Sequence, residues 1–102
     1  MLNELINHKE VDWNEIKKKY PIWKKLECRV IAHRPFGVFL DIGDKEVLGI
    51  ITVIDFDNDT VYPALESFVN GVVIGYTDDA RNQIWISINP KVISGEKLPF
   101  GH

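Results

Sequence analysis

Cysteine is nearly absent. Cys28 stands alone among 102 residues, which excludes an internal disulfide and suits a reducing compartment. Long apolar runs are missing as well: no stretch approaches the ~20 consecutive apolar residues that a membrane-crossing helix needs. The opening Met1-Leu2-Asn3-Glu4 lacks the basic region and apolar core of a signal peptide, so a cytoplasmic location without a membrane partner is expected. No internal repeat or low-complexity segment is present. The remainder is ordinary globular material. With 45% hydrophobic and 26% charged residues, the chain can bury a core and is not a disordered tail. Its length fits one such core.

Net charge is −3, but its distribution is uneven. Residues 17–34 hold Lys17, Lys18, Lys19, Lys24, Lys25, Arg29 and Arg34 against Glu27 alone, a local balance of +6. Residues 41–66 hold Asp41, Asp44, Glu46, Asp55, Asp57, Asp59 and Glu66 against Lys45 alone, a local balance of −6. A charged ligand responds to the field within about 10 Å at 0.1 M salt rather than to the total. The plainer reading of such runs is solvated surface.

The first twenty residues read as helical. Asp12 is placed to cap a helix, with Glu15 three residues on and Val11 and Ile16 at the staple positions. Pro21 disfavours helix at Tyr20, so a helix is expected over about residues 13–20, after a weaker turn at Leu2–Asn7. Strands follow. Residues 26–34 form the first, ended or bulged by Pro35. Residues 36–42 alternate, with Val38, Leu40 and Ile42 on one face and Phe39 and Asp41 on the other. Gly43 to Glu46 make a hairpin turn. Residues 47–54 are apolar almost throughout, a strand covered on both faces. An acidic loop at Asp55–Thr60 and an irregular piece through Glu66 lead to a fourth strand at 71–77. In the fifth, Ile84, Ile86 and Ile88 face inward while Trp85 and Ser87 face outward. The expected architecture is mainly β: a five-stranded OB-type barrel at 24–90, a helical extension at 1–23 and a tail at 91–102. Its expected core includes Val30, Val38, Leu40, Ile42, Ile50, Val72, Ile74, Ile84 and Ile86.

Phe36-Gly37-Val38-Phe39, with Val30 upstream, resembles the S1-type RNA-binding domain. The likeness continues through Leu48-Gly49-Ile50-Ile51, Asn70-Gly71-Val72 and Asp78-Asp79 to Ile84-Trp85-Ile86-Ser87, and covers roughly residues 24–90. The resemblance implies single-stranded RNA as the partner, with Phe36 and Phe39 as stacking aromatics and Asp79, or its neighbour Asp78, beside the last turn. Thr52 stands where the family has a histidine. Gln83 stands where it has an arginine, with Arg81 two residues earlier, and Cys28 replaces a glycine. These departures imply modest affinity, and because stacking surfaces accept any base the expected binding is weak and sequence-tolerant.

An OB barrel binds single strands by stacking bases on exposed aromatics in a basic groove. Phe39 faces outward by alternation. Phe36 either stacks a base or plugs the barrel end. Trp85 either extends the platform or packs under the N-terminal helix, and aromatic burial favours packing. Lys24, Lys25 and Arg34 are the candidate phosphate contacts. His33 reads as a half-buried structural histidine, and Cys28 as a buried, inert thiol.

Asp55, Asp57, Asp59 and Glu66 fall at positions one, three, five and twelve of a calcium-loop pattern. Thr60 at position six, where a sharp turn calls for glycine, and Pro63 at position nine argue against it. No metal site, cofactor or catalytic constellation is expected, and the chain reads as a non-enzyme. The alternative to RNA is a protein partner: an adaptor, inhibitor or immunity-type module that keeps the barrel and has lost the RNA contacts.

Overall fold

The computed structural model describes residues 12–52, 55, 62–77 and 82–95. The expected turn at Leu2–Asn7, the staple residue Val11, most of the acidic loop and most of the C-terminal tail lie outside them. Helix α1 spans Trp13–Lys19, and the carboxylate of Asp12 caps it by accepting from the N–H groups of Asn14 (3.0 Å) and Glu15 (3.4 Å). It stops before Pro21, as the missing N–H and the ring of proline require. Five strands follow: β1 Lys25–Arg34, β2 Gly37–Asp41, β3 Leu48–Thr52, β4 Phe68–Thr77 and β5 Gln83–Ser87. A one-turn helix, α2, occupies Pro90–Ile93.

The strands close into a barrel in the order β1-β2-β3-β5-β4, antiparallel except for the parallel β3–β5 pair. This is the OB-type arrangement. β1 belongs to two ladders. Its first half, Lys25 to Arg29, pairs with β4, and its second half, Arg29 to Arg34, pairs with β2. The register slips between Val30 and Ala32, the local bend that lets one strand turn from one ladder to the other.

Val30, Val38, Leu40, Ile84 and Ile86 are fully buried in one cluster. Cys28, Ile51 and Val73 join them there. Strands three and four differ from the expected inward set. Ile50 pairs with Phe39 on one side and Trp85 on the other, so its side chain shares their outer face, and Ile51 takes the inward place. Val72 likewise shares a row with Lys25 and Ser87, and Val73 points inward. Ile50 and Val72 are buried, yet outside the core cluster. Ile74 falls at the register slip between Val73 and Gly75 and is half-buried; Ile42 is half-buried against the cluster. An all-apolar strand carries no alternation, so its inward parity is fixed only by its neighbours. Ser87 does face outward but is fully buried, because the Asp55 carboxylate accepts its hydroxyl proton (2.5 Å) and the Ile88 N–H (3.0 Å).

α1 is part of this core. Ile16 and Tyr20 belong to the cluster, and Trp13 packs edge-to-face on Tyr76 at 6.0 Å. The docking is fastened by Asp44, whose side chain is 5% exposed. Its carboxylate accepts from the Tyr20 hydroxyl (2.8 Å), the Lys19 ammonium (3.2 Å) and the Glu46 N–H (2.9 Å). The Tyr76 hydroxyl in turn donates to the Tyr20 carbonyl at 2.6 Å. Burial and the Asp44 carboxylate push the Tyr20 phenol up to about 12. Burial alone would raise the pKa of Asp44. The three donors more than offset it and hold the carboxyl below its ordinary value.

Two predictions follow from this packing. Leu40→Ala and Ile86→Ala should each cost about 2–5 kcal/mol in urea denaturation, and Ile51→Ala should cost more than Ile50→Ala. Losses below about 1 kcal/mol at Leu40 and Ile86, or a reversed order at Ile50 and Ile51, would contradict the register. Asp44→Asn should cost about 1.5–3 kcal/mol at neutral pH. A carboxyl whose folded pKa is depressed contributes fully above its unfolded value of about 3.9 and loses that contribution as pH falls through the folded value. Stability of the parent should therefore drop below about pH 4 more steeply than that of Asp44→Asn; parallel curves would remove Asp44 from the account.

Candidate nucleic-acid interface

The turn from β1 to β2 gathers the candidate aromatics. Arg34 ends β1, Pro35 and Phe36 make the turn, and Gly37 opens β2. A β carbon at Gly37 would lie 2.2 Å from the Ile51 carbonyl oxygen, so only glycine lets β2 approach β3 closely enough here. Phe36 is 52% exposed and Phe39 half-buried. Their rings meet edge-to-face at 5.7 Å. The Arg34 guanidinium stands 5.9 Å over the Phe39 ring and donates to the His33 carbonyl at 2.8 Å. Phe36 is thus a surface aromatic at the barrel's rim and no plug.

The turn is braced from outside. The Tyr62 hydroxyl donates to the carbonyls of Arg34 (3.0 Å) and Pro35 (3.4 Å). His33 packs edge-to-face on Tyr62 at 5.4 Å, with Nε2 2.7 Å from the Pro63 carbonyl. His33 is exposed rather than half-buried, and its work is to tie the connection after β3 to the end of β1. Tyr62 was not legible as a site residue, because it falls in an irregular stretch without periodicity.

The ladders align Phe39, Ile50 and Trp85 in one row on the outer face of β2, β3 and β5. Leu48, 39% exposed, lies two residues before Ile50 on the same face. Trp85 lies against Gly75, its cross-strand partner, and donates from Nε1 to the Thr77 hydroxyl at 2.5 Å. It is half-buried. Trp13, within α1, packs on Tyr76, and Trp85 stands in the row of Phe39 and Ile50. Among the described residues, α1 is held by Asp44, which follows β2 at the end away from Phe36, and by Tyr76 of β4.

Thr52 is opposite Gly37, half-buried beside the turn. Gln83 is buried in the row of Leu48 and Thr77. Asp78, Asp79 and Arg81 lie outside the described residues. Lys24 and Lys25 are exposed, but at the start of β1, where Lys25 pairs with Val72. Arg34 is at the far end of this 10-residue strand, ~30 Å away along its contour. The structure brings Arg34 to the aromatics and leaves the two lysines elsewhere.

The opposed charge blocks partly neutralise each other. Lys19 pairs with Asp44. Arg29 pairs with Glu66 and, at 3.4 Å, with Asp41, which raises its own pKa. The Gly43 N–H and then Arg29 lower that of Asp41. Lys18 pairs with Glu15 at 3.5 Å, and Lys17 stands 5.3 Å over the Tyr76 ring. Asp55 and Glu66, the described members of the calcium-like pattern, are engaged by Ser87 and Arg29; Asp57, Asp59 and Thr60 lie outside the described residues. Cys28 is fully buried, and burial pushes its thiol up to about 11, so little thiolate exists at neutral pH.

No protein-family model and no curated protein sequence matches this chain. Solved structures do share its fold. A multidomain protein with nucleic-acid-binding domains from Streptococcus pneumoniae TIGR4 is 15% identical, with a TM-score of 0.56 over 79% of this chain and 29% of its own. The solution structure of GSP13 from Bacillus subtilis is 15% identical, with a TM-score of 0.57 over 78% of this chain and 61% of its own. The chain therefore spans less than two thirds of either protein. At this identity the likeness establishes the fold, an OB-type barrel.

Proposed function

We propose that the chain is a non-catalytic binding module of the S1 type that takes single-stranded RNA, weakly and with little sequence preference, on the outer face of β2, β3 and β5. The observation that carries this reading is the solvent-facing pair Phe36 and Phe39, braced at its turn and covered by Arg34. Two edge-to-face rings offer a stacking surface that any base can use, and a guanidinium beside them can reach a phosphate or stack in turn. Ile50 and Trp85 continue the platform across β3 and β5. Two structurally similar barrels occur in or as proteins of which one is described by its nucleic-acid-binding domains, which supports the same choice of ligand. Affinity is modest because Thr52 and the buried Gln83 replace two polar contacts of the family pattern.

Fluorescence anisotropy with a labelled oligouridylate tests this. Phe39→Ala should weaken binding by ~1–3 kcal/mol. Arg34→Gln should lower the log–log salt slope by ~0.7, one phosphate contact on a single strand. No detectable binding at low salt, where the electrostatic contribution is largest, would remove RNA and leave the protein-partner reading.

A further inference from the structure

The start of β1 carries an aromatic and basic surface apart from the β2–β3–β5 face. Trp23 is 43% exposed and holds φ at +75°, a left-handed conformation that a bulky side chain rarely adopts. Backbone bonds impose it. The Trp23 N–H donates to the Val73 carbonyl (2.7 Å), the Val73 N–H to the Lys24 carbonyl (2.9 Å), and the Lys24 N–H to the Pro21 carbonyl (3.0 Å). Glycine would make the same bonds without strain. The backbone therefore does not explain a tryptophan here.

Lys24 and Lys25 follow, both exposed, and no carboxylate of the described residues pairs with either. Lys25 also lines a groove of about 340 Å³ with Leu26, Glu27, Asn70, Gly71 and Ile93, large enough for a small ligand such as one nucleotide. In it the Asn70 amide and the Glu27 carboxylate can meet the polar edge of a base, while Glu27 repels phosphate from the groove itself. An exposed aromatic residue, two exposed ammonium groups and a pocket with base-like polarity are the components of a single-strand contact.

We propose that Trp23, Lys24, Lys25 and this groove form a second contact for single-stranded nucleic acid. Trp23 stacks one base, the lysines meet the phosphates, and the groove receives a neighbouring base. The inference shares its ligand class with the reading of the β2–β3–β5 face but rests on different residues, at the opposite end of β1.

The test uses oligouridylates carrying 4-thiouridine, one short (about 5 nucleotides) and one long (about 16), the range one OB barrel covers. Trp23→Gly should leave the melting temperature unchanged or raise it, because it relieves the left-handed φ. It should nevertheless weaken the long oligonucleotide about fivefold or more, the equivalent of one lost stacked base. Lys24→Gln with Lys25→Gln should flatten the salt dependence of the long one. Photo-cross-links should map to residues 22–25 as well as 36–39. Unchanged long-oligonucleotide affinity in both variants, absence of cross-links at 22–25, or a marked fall in melting temperature of Trp23→Gly would each overturn the proposal. Cross-links at 22–25 without any at 36–39 would sustain this site and remove the other; the converse would do the reverse.

Discussion

β1 has to serve two ladders, and the positions of both candidate surfaces depend on how it does so. Pairing first with β4 and then with β2, it bends where the register slips between Val30 and Ala32. That bend closes the barrel without a free sheet edge. It also sends the two ends of one strand to different parts of the molecule. Arg34 arrives beside Phe36 and Phe39, while Trp23, Lys24 and Lys25 remain beside β4. Residues that form one basic block in sequence thus serve two surfaces.

Closure likewise decides what the charges can do. Lys19 and Arg29, from the basic block, meet Asp44, Asp41 and Glu66, from the acidic one. These pairs fasten α1 to the β2–β3 turn and β1 to the connection before β4. Exposed pairs such as those of Arg29 are worth little individually. The shielded Asp44, with three donors, is the stronger fastening. Of the basic block, Arg34, Lys24 and Lys25 have no carboxylate partner among the described residues and stand next to exposed aromatics.

Much of the barrel was legible in the sequence. The period-two alternation of Val38, Leu40 and Ile42 against Phe39 and Asp41 set β2, and Pro21 and Asp12 bounded α1. Parity was not legible where alternation is absent: Ile50 with Ile51, and Val72 with Val73, are equally apolar, and only cross-strand pairing sorts them. Of the site, Phe36 and Phe39 were readable from one motif and Arg34 from the basic block. The bracing by Tyr62 and His33 was not, since it joins residues 28 and 30 positions apart with no local pattern. The place of Trp85 beside Ile50 depends on the parallel β3–β5 pairing, a long-range contact that no short window contains.

The central claim is that bases bind on the outer row of β2, β3 and β5. Two-dimensional nitrogen–proton spectra of the labelled protein during titration with a single-stranded oligouridylate test it most directly. Shifts should concentrate at the amides of Phe36, Gly37, Phe39 and Ile50 and at the indole N–H of Trp85, with smaller ones at Trp23 and Lys25. Shifts confined to the exposed Leu65 and Phe68, or an unperturbed spectrum at low salt, would contradict it.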